Sequence, residues 1–556
     1  MKKILYIGKI CLFISTMQVV AGCSDFLDKQ PYTSIADGNF WMTENDAKLA
    51  LVGCYRVQAG WQNHDFQTSS GLLYLDFAGG HGVDKSGNST SMASTNTASD
   101  NWPIDEYWMN SYGQLAAYNT FLDNIINCPM SEEKKALWSA EVKFLRSYIL
   151  FNLAFYFKDI PMPLTTLTVE EANSISQTPQ AKVYAQLEKD LLEVISVLPT
   201  KQAEADYGRA TKGAAQVLLS RLYFAQNDFA NAAAILKDII DSEVYEIDNT
   251  AGVDSYENLF KIGGEYSREM IFFTQRVKDL YVTAWFQYLY PECYGGWHQN
   301  AVYNELIREY FCADGKSIDE SLIYDENDPY ANREARLYAS VFLPPLGSFV
   351  GQTYNNITYD CFNGGNTNDS YNRYTFFNGY CTKKGFDPSV MDNLLNSYGY
   401  TPIFRYAEVL LSYLEAVNET SPSSVNQKLL DITINKIRNR VQLPVYAIAE
   451  LSSQELIRKA VRKERRVELA FEGLRYFDVI RYGIAETELN HTFTGVKLSD
   501  DPSARNYRGS GSAAAPVDDN MYYQFEKREW DAHNRYFPIP LHDMNINKNL
   551  VQNDGY

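Results

Sequence analysis

Glu408, Glu415 and Glu419 recur at steps of seven and four, so on one helix their carboxylates share a face. That grouping invites a metal or an acid/base reading. The usual di-metal arrangement adds a Glu-x-x-His, which is missing, and Arg405 and Lys428 stand close enough in sequence to pair with the acids, so structural ion pairs are the better account. Asp314-Gly315-Lys316-Ser317 ends like a phosphate-binding loop, but residue 310, where the first glycine would fall, is Tyr. No GxSxG, HExxH or CxxC occurs, and the six histidines are scattered without ligand spacing. Glycosidase carboxylates come from different elements and leave no spacing to read. The sequence therefore gives no support to catalysis, and no metal or cofactor is expected.

Stacking is the chemistry the chain does advertise. It holds 41 Tyr and 8 Trp, rings with an apolar face and a polar edge that suit amphipathic ligands, sugars above all. Tyr281, Trp285, Tyr288, Tyr290, Tyr294 and Trp297 crowd around Pro291 and Gly295-Gly296, which break helix and strand patterns alike. Trp102 sits comparably behind the Gly/Ser/Asn-rich stretch 79–101, where Asp76, Asp84, Lys85 and Asn101 offer groups for sugar hydroxyls. Core packing competes for each ring taken singly, but at least two are expected to stack on a ligand. The binding candidates are thus Asp76, Asp84, Lys85, Asn101, Trp102, Tyr281, Trp285, Tyr290, Tyr294 and Trp297.

A net charge of −19 argues against nucleic acid and against adhesion to anionic lipid. Attachment to a membrane is read from the N-terminus instead. Lys2 and Lys3 precede an apolar stretch, Ile10 to Val20, and Val20-Ala21-Gly22-Cys23 closes it as a lipoprotein signal closes. Lys9 leaves the stretch short of the ~20 residues of a spanning helix. The expectation is that residues 1–22 are removed and that acyl chains on Cys23 anchor residues 23–556. Of the other cysteines, Cys54, Cys128, Cys293, Cys312, Cys361 and Cys381 follow the signal, and they read as mostly free, buried thiols.

The elements that must hold these groups are mainly helical. From Ser131 to Lys158, Leu137, Ala140, Phe144, Tyr148, Phe151 and Phe155 form one apolar stripe, with Ser131 as cap and Pro161 as stop. Further helices are expected at about 43–59, 104–127, 179–198, 210–226, 229–241, 403–419, 424–440 and 453–476. The short turn Asn227-Asp228 forces two of them into an antiparallel hairpin whose mixed small and large residues resemble a degenerate tetratricopeptide repeat. The basic run Arg458 to Arg481 is interleaved with Glu464, Glu468, Glu472 and Asp478, which makes an amphipathic helix laced by ion pairs. Between about 244 and 400, and again from 484 to 535, Gly, Asn and Tyr replace Leu and Ala. Long irregular segments on a helical scaffold are where binding usually lives.

KERRVELAFEGLRYFDVIRYG within 458–483 resembles the signature of the SusD/RagB family of outer-membrane nutrient-binding lipoproteins. The same family is matched by CSDFLDKQP after residue 22, AEVKFLRSYILFNLAFYFKDIPMP at 140–163, YGRATKGAAQVLLSRLY at 207–223, PIFRYAEVLLSYLEAVNE at 402–419 and the closing YFPIPLHDMNINKNLVQNDGY. The resemblance implies a single α-helical domain over 23–556, with four tetratricopeptide-like units and irregular loops on one face. It also implies a surface-exposed lipoprotein acting as a hinged lid on a SusC-type TonB-dependent barrel transporter. Members bind oligosaccharides, fewer bind peptides, and none is an enzyme. Asp25 is in keeping with the acids behind the lipidated cysteine of surface-exported members. The stretches 75–102 and 281–297 carry over as the expected site, and a helical scaffold or an anchored hydrolase are the readings from other classes.

Overall fold

The structure is a computed structural model and describes residues 40–57, 64–95, 97–362, 369–371, 377–505 and 514–556. The leader, Cys23 and Asp25 lie outside the described residues. The first half of the chain forms α1 (Glu44–Cys54), α2 (Ser69–Ala78), α3 (Trp102–Ile125), α4 (Glu132–Phe157), α5 (Gln180–Val197), α6 (Lys212–Ala225) and α7 (Phe229–Asp241). Sequence dictates their ends. The Ser131 hydroxyl accepts from the Lys134 amide at 3.3 Å, and Glu132 and Glu133 sit at the positive end of the α4 dipole. α4 packs between α3 and α5, α5 packs on α6, and α6 and α7 close the expected hairpin at Asn227, which adopts φ +57°. Ala214, Leu218, Ala232 and Leu236 are buried at that hairpin, so small residues let the helices approach and large ones fill the gaps.

The second half adds α8 (Tyr406–Thr420), α9 (Gln427–Ile432), α10 (Ile434–Arg440), α11 (Gln454–Glu468) and α12 (Arg475–Arg481). Three expected helices are broken here. The expected helix at 403–419 starts as a strand, Thr401–Arg405, because Thr401, Pro402 and Ile403 favour extended backbone and pair antiparallel with Met270–Thr274. The one at 424–440 is cut at Thr433, whose hydroxyl bonds back to the Leu429 carbonyl at 2.5 Å. The one at 453–476 stops at Glu468; Phe471 and Gly473 then turn through positive φ, and a Cβ at Gly473 would lie 2.6 Å from a Leu72 methyl. The helical core is closed by the C-terminal segment, where Phe537 stacks on Tyr156 at 5.4 Å and donates its amide to that residue's carbonyl at 2.7 Å.

The bend after α11 is held by charge. Arg405 donates to Glu269 at 2.8 Å, to Glu468 at 2.6 Å and to Glu472 at 2.6 and 2.7 Å. Arg440 donates to Glu269 at 2.9 Å and to Glu468. Arg336 pairs with Glu334 and Glu464 at 2.6 Å and with Glu468 at 2.8 Å, Arg438 reaches Glu464 at 3.0 Å, and Lys384 reaches Glu472 at 2.6 Å. Five buried cations thus meet five buried carboxylates, and the group joins α10, α11 and the strand 401–405 to the irregular region 244–400. Burial alone would raise the Glu468 carboxyl, but Arg440, Arg405 and Arg336 hold it well below the usual carboxylate range. The acids of α8 are spent similarly. Glu408 pairs with Arg221, Glu415 with Arg481 and Glu419 with Arg458, rather than with the sequence neighbours Arg405 and Lys428.

A second buried pair fixes the aromatic loop. Asp369 accepts from the amides of Glu292 and Cys293 at 2.8 and 2.9 Å and lies 2.6 Å from His298 Nδ1. Burial by itself would lower the imidazole, yet the groups that face it, Cys381 and Asp369, raise it. The Cys381 thiol beside it is pushed up by burial and stays protonated, so Asp369 is the partner that counts at neutral pH. All six cysteines among the described residues are free, and five of them are buried.

Two outcomes follow from these pairs. Arg405→Met takes one of the cations from Glu269, Glu468 and Glu472 in the core, leaving Glu468 with Arg336 and Arg440 and Glu472 with Lys384, and is expected to cost about 3–5 kcal/mol in urea unfolding, whereas a loss under about 1 kcal/mol would contradict the buried-pair account. A histidine whose pKa is raised on folding stabilises fully below its unfolded value of ~6.5 and less as pH climbs through the folded value. The difference in thermal midpoint between the native chain and His298→Gln should therefore be greatest near pH 6 and shrink as pH rises above it; a difference that does not vary with pH would remove the ion pair.

Candidate ligand-binding face

The ten expected binding residues divide by burial. Asp76, on α2, is fully enclosed, and its two oxygens accept from the Gly473 and Arg475 amides at 2.8 and 2.9 Å. It caps α12, and the expectation that it meets a ligand is corrected by that occupation. Asp84 is equally buried and accepts from the Ser89 amide and hydroxyl, both at 2.7 Å. Tyr290 has no exposed surface; it stacks on Phe286 at 5.2 Å and donates to the Gly385 carbonyl at 2.7 Å. Tyr294 donates to the Gln352 carbonyl at 3.0 Å, and Trp285 stacks on Tyr288 at 5.2 Å. These three rings are core, because the loop that carries them coils into a short helix, Trp285–Leu289, and turns its apolar side inward.

Two indoles remain open, Trp102 at 36% and Trp297 at 38% exposure. Trp102 begins α3, where the half-buried Asn101 caps the helix and donates to Ser91 Oγ at 2.7 Å. Its indole nitrogen donates to Glu106 at 2.9 Å, one turn on along the same helix. Glu106 also accepts from the His64 amide at 2.9 Å, and its carboxylate lies 2.8 Å from His64 Nδ1, so one side chain sets both rings. Trp297 is placed by its amide, which donates to the Gln287 carbonyl at 2.7 Å. The strands 82–84 and 300–302 pair antiparallel beside it, and the exposed Lys85 donates its amide to Gln299 at 2.9 Å. Lys85 is thereby tied to the residue two positions after Trp297.

A seam of rings joins the two regions. The Trp102 edge meets His64 at 4.7 Å, His64 lies against Tyr74 at 4.1 Å, the Tyr74 and Tyr288 hydroxyls share a hydrogen bond of 3.3 Å, and Tyr288 stacks on Trp285. Tyr281 is half-buried on a neighbouring turn with the Arg276 guanidinium 4.8 Å over its ring. The arrangement offers fixed apolar ring faces with amide, ammonium and carboxylate groups between them. Sequence reasoning missed His64, Tyr74 and Glu106, whose partners lie far along the chain. The one legible signal was the i to i+4 spacing of Trp102 and Glu106.

Comparison with known proteins agrees with this architecture. The SusD family profile matches residues 261–556, and a second profile, described as "Starch-binding associating with outer membrane", matches residues 25–224. SusD-like protein P2 of Formosa agariphila is 25% identical over 482 residues, 84% of this chain and 89% of that protein. The starch-binding protein SusD of Bacteroides thetaiotaomicron is 29% identical over 155 residues, 28% of this chain and 21% of that one. A crystal structure of a SusD-like carbohydrate binding protein from Bacteroides fragilis superposes with a TM-score of 0.80 at 29% identity, over 92% of this chain and all of that chain. With the profile spanning more than half its length and the helical architecture on the page, the chain belongs to the SusD family.

Proposed function

We propose that this chain is a cell-surface glycan-binding lipoprotein that captures oligosaccharide and passes it to a SusC-like TonB-dependent transporter, without catalysing a reaction on it. The observation that carries the reading is the pair of exposed indoles, Trp102 and Trp297, in the two stretches that the ring seam from His64 to Trp285 joins. A pyranose ring has an apolar C–H face and a hydroxyl edge, so it stacks on indole while Lys85 and nearby amides meet its hydroxyls. Rings fixed beforehand lose little entropy on binding. The carbohydrate-binding relative of Bacteroides fragilis supports the cargo, and the outer-membrane wording of the second matching profile supports the location. Acyl chains on Cys23 would hold the single domain 23–556 beside its barrel and facing the exterior, since two or more chains anchor stably where one does not.

Calorimetry on the form lacking residues 1–23, with the strongest neutral glycan from an array, tests the site. Trp102→Ala and Trp297→Ala should each weaken binding about tenfold, as the loss of one stacked ring implies, with little dependence on salt. Normal binding by both variants would remove the face from the account. Cys23→Ser should leave glycan affinity unchanged and release the protein from the cell surface; retention of that variant would end the tether reading.

A further inference from the structure

A second cleft opens where α6 begins, above the strand 270–274, with a cavity volume of about 150 Å³. It shares no lining residue with the Trp102 and Trp297 face. Tyr207 and Tyr266 stack in it at 5.4 Å with planes 25° apart, and Tyr207 backs onto Phe273 at 5.7 Å. The inner ring is pinned, since its hydroxyl donates to the Glu265 carbonyl at 2.7 Å and Gln275 donates to its carbonyl at 2.9 Å. The outer ring is not, for Tyr266 is 69% exposed. Tyr245, whose hydroxyl shares a 3.1 Å hydrogen bond with Thr211, stands on the wall with Gln202 and Lys201.

The charges in the cleft decide the class of ligand. Arg209 is held by Glu141 and Asp206, both at 2.7 Å, and Arg268 by Glu246 at 2.8 Å in an exposed pair, while Lys201 stands as an exposed cation on the wall. A phosphate or carboxylate would have to displace a carboxylate from Arg209 and would otherwise meet one exposed ammonium and one exposed ion pair, a weak anion site that favours an uncharged ligand. A supported, open aromatic face with hydroxyl and amide groups beside it fits a neutral sugar ring instead. We infer that this cleft is a second glycan-binding site, stacking one pyranose ring on Tyr266. The inference rests on the glycan reading of the chain and extends it. Two sites on one tethered protein would favour long chains over short ones, because the second contact becomes intramolecular.

The test uses the form lacking residues 1–23 against an array of neutral oligosaccharides and polysaccharides, starch and laminarin included, followed by calorimetry with the tightest short chain. The native chain should take two short chains, Tyr266→Ala one, and Trp102→Ala/Trp297→Ala one that the further change Tyr266→Ala abolishes. Affinity for the parent polysaccharide should fall at least about tenfold in Tyr266→Ala. Because Tyr266 is exposed, its variant should keep the native thermal midpoint, which separates lost binding from lost fold. A single site in the native chain, or unchanged stoichiometry in Tyr266→Ala, overturns this inference and leaves the first face standing. Binding to no glycan overturns the glycan reading and this site with it.

Discussion

The buried group of Arg336, Arg405, Arg438, Arg440 and Lys384 with Glu269, Glu334, Glu464, Glu468 and Glu472 is the constraint on which the rest of the structure depends. Helices find one another through apolar stripes, but the region 244–400 has no such periodicity to dock it. Charge pairing supplies what the pattern lacks, since each guanidinium accepts only a few carboxylate geometries. Such groups are seldom the most stable filling for a core, because desolvation offsets much of the attraction. What they impose is one arrangement, at a heavy cost if any member is lost.

That arrangement reaches the proposed ligand face in few steps. Glu472 is held by Arg405 and Lys384, and the next residue, Gly473, donates its amide to Asp76. Asp76 lies on α2 two residues from Tyr74, which packs against His64 beneath Trp102 and bonds to Tyr288 behind the other loop. An acid that looks suited to a sugar hydroxyl is in this structure the link between ionic core and aromatic face.

Much of the helical layer was legible because its signals are local. Ser131, the stripe through Phe155 and the turn at Asn227 each name their element within a few residues. Helix α2 was not legible, since nine of its ten residues are buried and a helix apolar all round shows no stripe. Residues 403–405 of the strand read as helix because Ile403 and Phe404 lead straight into the apolar stripe of α8. In the loop 281–297, spacing cannot tell which ring faces out, and only the fold separates the open Trp297 from the enclosed Tyr290. His64 and Glu106 are joined across 42 positions, a contact that no local pattern carries.

The claim that the ionic core positions the ligand face is tested most directly by amide hydrogen exchange in Arg405→Met against the native chain. Residue 405 lies outside the face, yet exchange should accelerate at 469–475, along α2 and at 285–302, while α5, α6 and α7 keep their protection. Unchanged protection in α2 and the aromatic loop, or a uniform loss throughout the chain, would contradict it.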